Sequence, residues 1–436
     1  MVQTVIVDGP LRRGQLNRQR NFTQEVRLQS ADPETRLKWV IGGFYSHARQ
    51  NSYQRTVDPF YASLVAAITP IITGGTVLSV EQFTGSPMLP GNVTYLNTND
   101  GRDRQIAGFA QVDWRALDRL TLTAGVRVSH AVYDFSTFQA GPGAGTSSLV
   151  YSGRQAETPV TPKLGIEYRI TPDTMVYASA AKGFRTGGAN APVNATQCAA
   201  NLNALGLERA PAEYQSDTVW SYEGGAKGKA IDGTLQYQAS AYYIKWQNIQ
   251  QFVYLPLCGG GFVNNNGSAS SRGFDLAVQV RLSPDWTFGL TTGYVDARYD
   301  RTVTSGLGVN YVTRGDKLTG SPWSINLSLG GQFDVGARRF YTRLDYDHQA
   351  RYSRADVTQN PANVGYDPGA TPSAETNDLS FRLGTRVDGL DLSLFVNNAL
   401  NQKPNLSRAH YSAADPVFTY VTVRPRTAGL TGIYRF

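Results

Sequence analysis

The chain ends on Arg424–Phe436, RPRTAGLTGIYRF. Taken with period two, Ala428, Leu430, Gly432, Tyr434 and Phe436 share one face, and Thr427, Gly429, Thr431, Ile433 and Arg435 share the other. One face is apolar and the other is small or polar, apart from Ile433. Ends of soluble chains usually fray, but a sheet that crosses a membrane must pair its last strand, because lipid offers unpaired backbone groups nothing to bond. The stretch predicts a barrel-closing C-terminal strand, with Tyr434 and Phe436 on its apolar face.

Composition agrees with that reading. The 436 residues are 17% charged and 41% hydrophobic, and mean hydropathy is -0.32. No apolar run approaches the ~20 residues of a spanning helix. The 24 Tyr, 18 Phe and 44 Gly suit strands, turns and interfacial aromatics, and such aromatic content argues against disorder. The net charge of +7 comes without a Lys/Arg-rich run or a nucleic-acid motif, so no nucleic-acid partner is expected. The N-terminal MVQTVIVDGPLRRG lacks the marks of an export signal. An exported protein would need that signal from elsewhere.

Alternation then recurs along the chain. Strands are predicted over Phe22–Leu28, Leu37–Tyr45, Gln105–Ala116, Leu120–Ser129, Val160–Ile170, Thr174–Phe184, Val219–Ala230 and Thr234–Trp246. Further strands follow over Ser271–Leu282, Trp286–Tyr299, Pro322–Phe333, Arg338–His348, Thr376–Val387, Leu390–Asn397 and the terminal stretch. Leu120, Leu122, Ala124, Val126 and Val128 alternate with Thr121, Thr123, Gly125, Arg127 and Ser129, so the second face meets water instead of a packed core. Short turns such as Thr171-Pro172-Asp173 close one end of each pair. Long loops, read at 49–102, 185–217, 248–268, 300–320, 351–375 and 402–420, close the other. This asymmetry predicts an all-β transmembrane antiparallel up-and-down barrel with short periplasmic turns and long extracellular loops. About fifteen strands are visible; an even number requires a sixteenth in the first seven residues or more strands upstream. Residues 1–21 read as a loop or strand remnant, and 22–436 as barrel.

Several stretches resemble the barrel of TonB-dependent receptors, in that family's order: Phe22-Thr-Gln-Glu-Val-Arg-Leu28, Thr161-Pro-Lys-Leu-Gly-Ile-Glu-Tyr168, Lys182-Gly-Phe-Arg-Thr-Gly-Gly188, Ser221-Tyr-Glu-Gly-Gly-Ala-Lys227, Val396-Asn-Asn-Ala-Leu-Asn401 and the terminal strand. The resemblance implies 22 strands around a plug, of which these would be the last fifteen. It also implies uptake of a scarce ligand, such as a ferric siderophore or similar iron chelate, in the outer membrane of a Gram-negative bacterium. Implied partners are outer-membrane lipid, the barrel-assembly machinery and the small ligand. The TonB complex joins them only where a plug with a TonB box lies upstream, since no stretch here resembles either. A passive plugless pore, a non-functional truncated receptor and a soluble all-β binder are the alternatives.

Signs of other chemistry are few. His47, His130, His348 and His410 have no metal-ligand spacing, and neither a nucleophile elbow nor a catalytic triad is legible, so no enzyme, metal or cofactor is expected. Loop cations Arg301, Arg314, Lys317, Arg351, Arg354 and Arg408 are candidates for attracting an anionic chelate. Aromatics near strand ends, among them Trp39, Tyr45, Trp114, Tyr177, Tyr243, Trp246 and Trp286, read as interface girdles. Cys198 and Cys258 both fall in long loops and are either bridged or two separate thiols.

Overall fold

A computed structural model of the protein describes residues 3–4, 12–32, 34–318, 320–351, 356–410 and 417–434. Fifteen long strands pair in chain order, each antiparallel to the next. They are Arg12–Gln29, Leu37–Val57, Val93–Leu117, Leu120–Gly141, Val160–Thr171, Thr174–Arg185, Asp217–Ala230 and Leu235–Gln247, then Ser268–Ser283, Trp286–Tyr299, Trp323–Val335, Arg338–Gln349, Thr376–Val387, Leu390–Asn397 and Thr427–Tyr434. No helix is long and apolar enough to cross a membrane.

Register shows why these residues make a wall. Leu122, Ala124, Val126 and Val128 lie opposite Trp114, Val112, Ala110 and Gly108, and on the other side opposite Ile166, Leu164, Pro162 and Val160. The same outward parity holds at the end of the chain, where Leu390, Leu392, Leu394 and Val396 face Tyr434, Gly432, Leu430 and Ala428. Leu430 is 82% exposed and Leu164 61%, as a lipid-facing surface requires and a soluble core forbids. The opposite face carries polar pairs: Thr123 with Asp113, Asn326 with Asp347, Arg343 with Asp345 and Arg386 with Asp391. One cavity of ≈ 940 Å³ is lined by residues of eight successive strands, from Arg169 to Arg343, so the sheet curls around its polar face. Arginine in place of outward Val126 is expected to cost about 2–4 kcal/mol, and in place of lumen-facing Gln236 almost nothing. Denaturant titration of the two variants in vesicles checks this, and equal costs would sink the assignment of faces.

Two expectations change. The loop read at 49–102 is shorter: one strand continues to Val57, the next begins at Val93, and between them lie the helices Tyr61–Thr73 and Val80–Thr84. Likewise Arg12–Asn21, read as remnant, is the outer half of a strand. Both were hidden for one reason. Beyond the hydrocarbon layer neither face of a strand meets lipid tails, so stretches such as Gln50–Gln54 and Asn97–Arg104 keep their ladders without alternating. Thr146–Glu157 similarly pairs with the outer part of Leu120–Gly141, in line with Val160–Thr171 across a break at Thr158 and Pro159.

The C-terminal strand pairs with Leu390–Asn397; among the described residues its other edge has no partner. The strand Arg12–Gln29 pairs with Leu37–Val57 and, at Leu16 and Asn17, with Gln3–Thr4. Tyr434 faces outward as read, and Phe436 lies outside the described residues. Trp39, Tyr45, Trp114, Tyr243 and Trp286 also face outward, but Tyr177 and Trp246 share the lumen parity of Glu223 and Val219, so they do not belong to a lipid-facing girdle.

Candidate ligand-binding site

Both apolar clusters found among the described residues lie at the loop end of the wall, as expected where the barrel interior is polar. The larger joins three loops: Cys198, Leu202 and Leu205 from loop 186–216, Val253, Leu255 and Phe262 from loop 248–267, and Tyr311 from loop 300–322. Cys198 and Cys258 are joined as a disulfide, with Cα atoms 5.2 Å apart and a sequence separation of 60. The second loop is a hairpin, Gln250–Leu255 paired with Gly260–Asn265. Gly259 turns it at φ 71°, a conformation that costs glycine nothing. Polar bonds tie the hairpin down. The Asn190 side chain donates to the Val263 carbonyl and accepts from its N–H, and Asp217, 2% exposed, accepts from Gln250 N at 3.0 Å and from the Arg185 guanidinium.

Two more loops complete a cap. Asp316 accepts from the side-chain amides of Asn360 and Asn363, each at 2.6 Å, and from Thr313 N at 2.8 Å. Val364 N donates to the Asn310 carbonyl. Loop 350–375 is thereby fastened to loop 300–322. His410 Nε2 meets Asp367 Oδ2 at 2.6 Å, which attaches loop 398–426 in turn.

Under this cap lies a cavity of ≈ 700 Å³. Its wall is the lumen face of the strands, with Val219, Ser221, Ile244 and Trp246; its roof includes Tyr311, Val357 and Val364. The lining is mainly apolar with a few polar groups, among them Gln250 and Ser271, which is the character of a small-molecule site. Trp246 carries the Arg185 guanidinium 5.3 Å from its ring centroid, and its indole Nε1 is buried without a hydrogen-bond partner. Burial raises the Tyr311 phenol above its ordinary pKa, so it remains a neutral donor. Such a space can hold a molecule with aromatic or apolar faces, aligned by an indole and a few hydrogen bonds.

The candidate cations are not brought together. Among the described residues only Lys317 of the six lines the cavity; it is buried there, 3.9 Å from Asp296, in an ion cluster completed by Arg298 and Arg272. Arg408 lies over the Phe418 ring, 3.6 Å from its centroid. Arg301 lines a separate cleft of ≈ 430 Å³ beside Asn248 and Asn265. Arg314 and Arg351 are exposed on two different loops, and Arg354 lies outside the described residues. His130 bonds to Thr158 and His348 to Asn377. Among the described residues no group of three His, Cys, Asp or Glu side chains is placed to hold a metal ion. Sequence reading missed Trp246 as a lumen residue, although counting by twos along Leu235–Gln247 would have placed it. It also missed Asp316 and Asn363, for which no local signal exists.

Comparison with known proteins gives this geometry a family. The chain matches the family described as "TonB dependent receptor-like, beta-barrel" over residues 5–399. The pesticin receptor of Yersinia pestis is 25% identical over 194 residues, 44% of this chain and 26% of the receptor. The metal-pseudopaline receptor CntO of Pseudomonas aeruginosa is 24% identical over 171 residues, 39% of this chain and 20% of that protein. Among solved structures, the ferric yersiniabactin uptake receptor FyuA of Yersinia pestis superposes on 99% of this chain with a TM-score of 0.72 at 15% identity; the chain covers 57% of it. The ferric citrate transporter FecA does so with a TM-score of 0.60 at 14% identity, again with 57% of that protein covered. The chain thus spans little more than half of its structural relatives and a smaller share of its curated ones. A one-sheet antiparallel wall, lipid-facing outside and polar inside, together with the match over residues 5–399, places this chain in the TonB-dependent receptor β-barrel family of Gram-negative outer-membrane proteins.

Proposed function

We propose that this chain forms the barrel wall and outer ligand site of a receptor that imports a scarce small ligand, a ferric siderophore or similar iron chelate. The observation that carries the reading is the mainly apolar cavity of ≈ 700 Å³ under the loop cap, built on the lumen face of the strands. The printed names of the relatives supply the ligand class: ferric yersiniabactin, ferric citrate and metal-pseudopaline belong to those proteins. The relatives are receptors and transporters, and the role proposed here is likewise binding and passage without catalysis. Residues 12–434 supply wall and loops. In the family a plug with a TonB box couples such a wall to the energised inner membrane, and assembly into the outer membrane would use the barrel-assembly machinery.

Binding of radiolabelled ferric chelates to outer membranes that contain the protein, followed by uptake in cells with and without TonB, tests this. Trp246→Ala is expected to weaken binding about tenfold, roughly 1.4 kcal/mol. Uptake should vanish without TonB. Steady conductance with no TonB dependence and no chelate binding would favour a passive pore instead.

A further inference from the structure

Just beyond the apolar band on the outward face, the register sets arginines opposite one another. Arg20 pairs with Arg49, Arg49 with Arg102, Arg102 with Asp134, and Asp134 with Arg154, so one rung crosses five strands. Arg18 and Arg104 flank it with the same parity. Six arginines therefore meet two carboxylates, Asp100 and Asp134. Arg49 lies 2.7 Å from Asp100 and Arg104 3.0 Å from Asp134, while Arg18 and Arg20 have no ion pair among the described residues. Like charges directly opposite each other destabilise a sheet. Asp100 serves both Arg49 and Arg102, at 2.7 and 3.5 Å, which leaves the charge of Arg18 and Arg20 beside them unmatched.

Position identifies the anion that would match it. The outward apolar run Trp114, Val112, Ala110, Gly108 and Ile106 spans about nine residues, enough for the hydrocarbon layer. The arginine rung stands four residues beyond Ile106, about 13 Å along the strand at ~3.3 Å per residue and about 9 Å in height at a ~45° tilt. This is the headgroup layer at the long-loop end, the outer leaflet. A cleft of ≈ 250 Å³ lined by Arg18, Arg20, Arg49 and Asn51 opens there, and guanidinium groups hold phosphate through paired donors.

We propose that this rung is a binding site for the phosphates of an outer-leaflet lipid. The site offsets the repulsion between Arg20, Arg49 and Arg102 and anchors this sector of the wall. It rests on the outer-membrane placement and not on uptake.

The test uses the protein extracted from outer membranes in mild detergent, with thermal midpoint and retained lipid per protein as readouts. Lipid A carrying its phosphates should raise the midpoint; dephosphorylated lipid A should not. In Arg18→Gln/Arg20→Gln/Arg49→Gln, retained phosphorylated lipid should fall at least fivefold, while the lipid-free midpoint stays level or rises because repulsion has been removed. Arg338→Gln, outward at the turn end, should change neither. Equal stabilisation of the unmutated protein by phosphorylated and dephosphorylated lipid A, or by inorganic phosphate at the same concentration, overturns the proposal. So does unchanged lipid retention in the triple variant. The first comparison needs no variant to fold.

Discussion

Asp316→Ala detaches loop 350–375 from loop 300–322 and opens the cavity. The carboxylate is 4% exposed and Asn363 5%, so the substitution strands one N–H of each of the Asn360 and Asn363 amides and the Thr313 N–H, while the Asn363 amide keeps its bond to the Val357 carbonyl. Each buried donor stranded in this way costs about 1–3 kcal/mol, and some water entry is expected, so the attachment should weaken by about 3–5 kcal/mol. The wall itself is untouched, because the strands on either side keep their ladders. Hydrogen exchange reads this directly. The Val364 amide, bonded to the Asn310 carbonyl, should exchange at least a hundredfold faster, while amides in Trp286–Tyr299 keep their protection. Unchanged exchange at Val364 would mean that the cap is held by its apolar contacts alone. Chelate binding should fall with the roof, which ties this variant to the proposed function.

Replacing Cys198 and Cys258 by alanine is the second large effect. Loop-closure entropy for a separation of 60 residues is worth about 4 kcal/mol. The wall strands between the two cysteines stay paired when only the loops open, so the local loss should be about 2–3 kcal/mol. Amides of the hairpin Gln250–Leu255 and Gly260–Asn265 should then exchange about 30- to 150-fold faster. Thermal unfolding of the barrel should shift little. A lower barrel midpoint with unaltered hairpin exchange would show that the bond braces the wall and not the cap.

The fifteen wall strands and their faces were legible because each has at least eight or nine residues with lipid on one side and water on the other. Leu120–Ser129 shows this most plainly, and Thr427–Tyr434 shows it even at the end of the chain. Family membership was legible for a related reason: short motifs from Phe22 to the terminal strand keep their order. The outer halves of the strands were not legible. Gln50–Gln54 and Asn97–Arg104 lie beyond the hydrocarbon layer, so nothing selects apolar residues at alternate positions, and ladder bonds leave no trace in composition.

The site behaved differently from the wall. Loop cations could be named from the sequence, but their positions could not: Lys317 alone of those described lines the cavity, Arg408 stacks on Phe418, and Arg301 lines another cleft. The arginine rung was equally hidden, since Arg20, Arg49, Arg102 and Arg154 are far apart in sequence and become neighbours only through register.

By itself, the sequence determined which side of each strand meets lipid, because side-chain alternation follows from local backbone geometry and needs no distant partner. Tertiary structure alone decided the cap, the cavity and the charged rung. These depend on contacts such as Asp316 with Asn363 and Cys198 with Cys258, which form only after the wall has brought the ends of separate hairpins side by side.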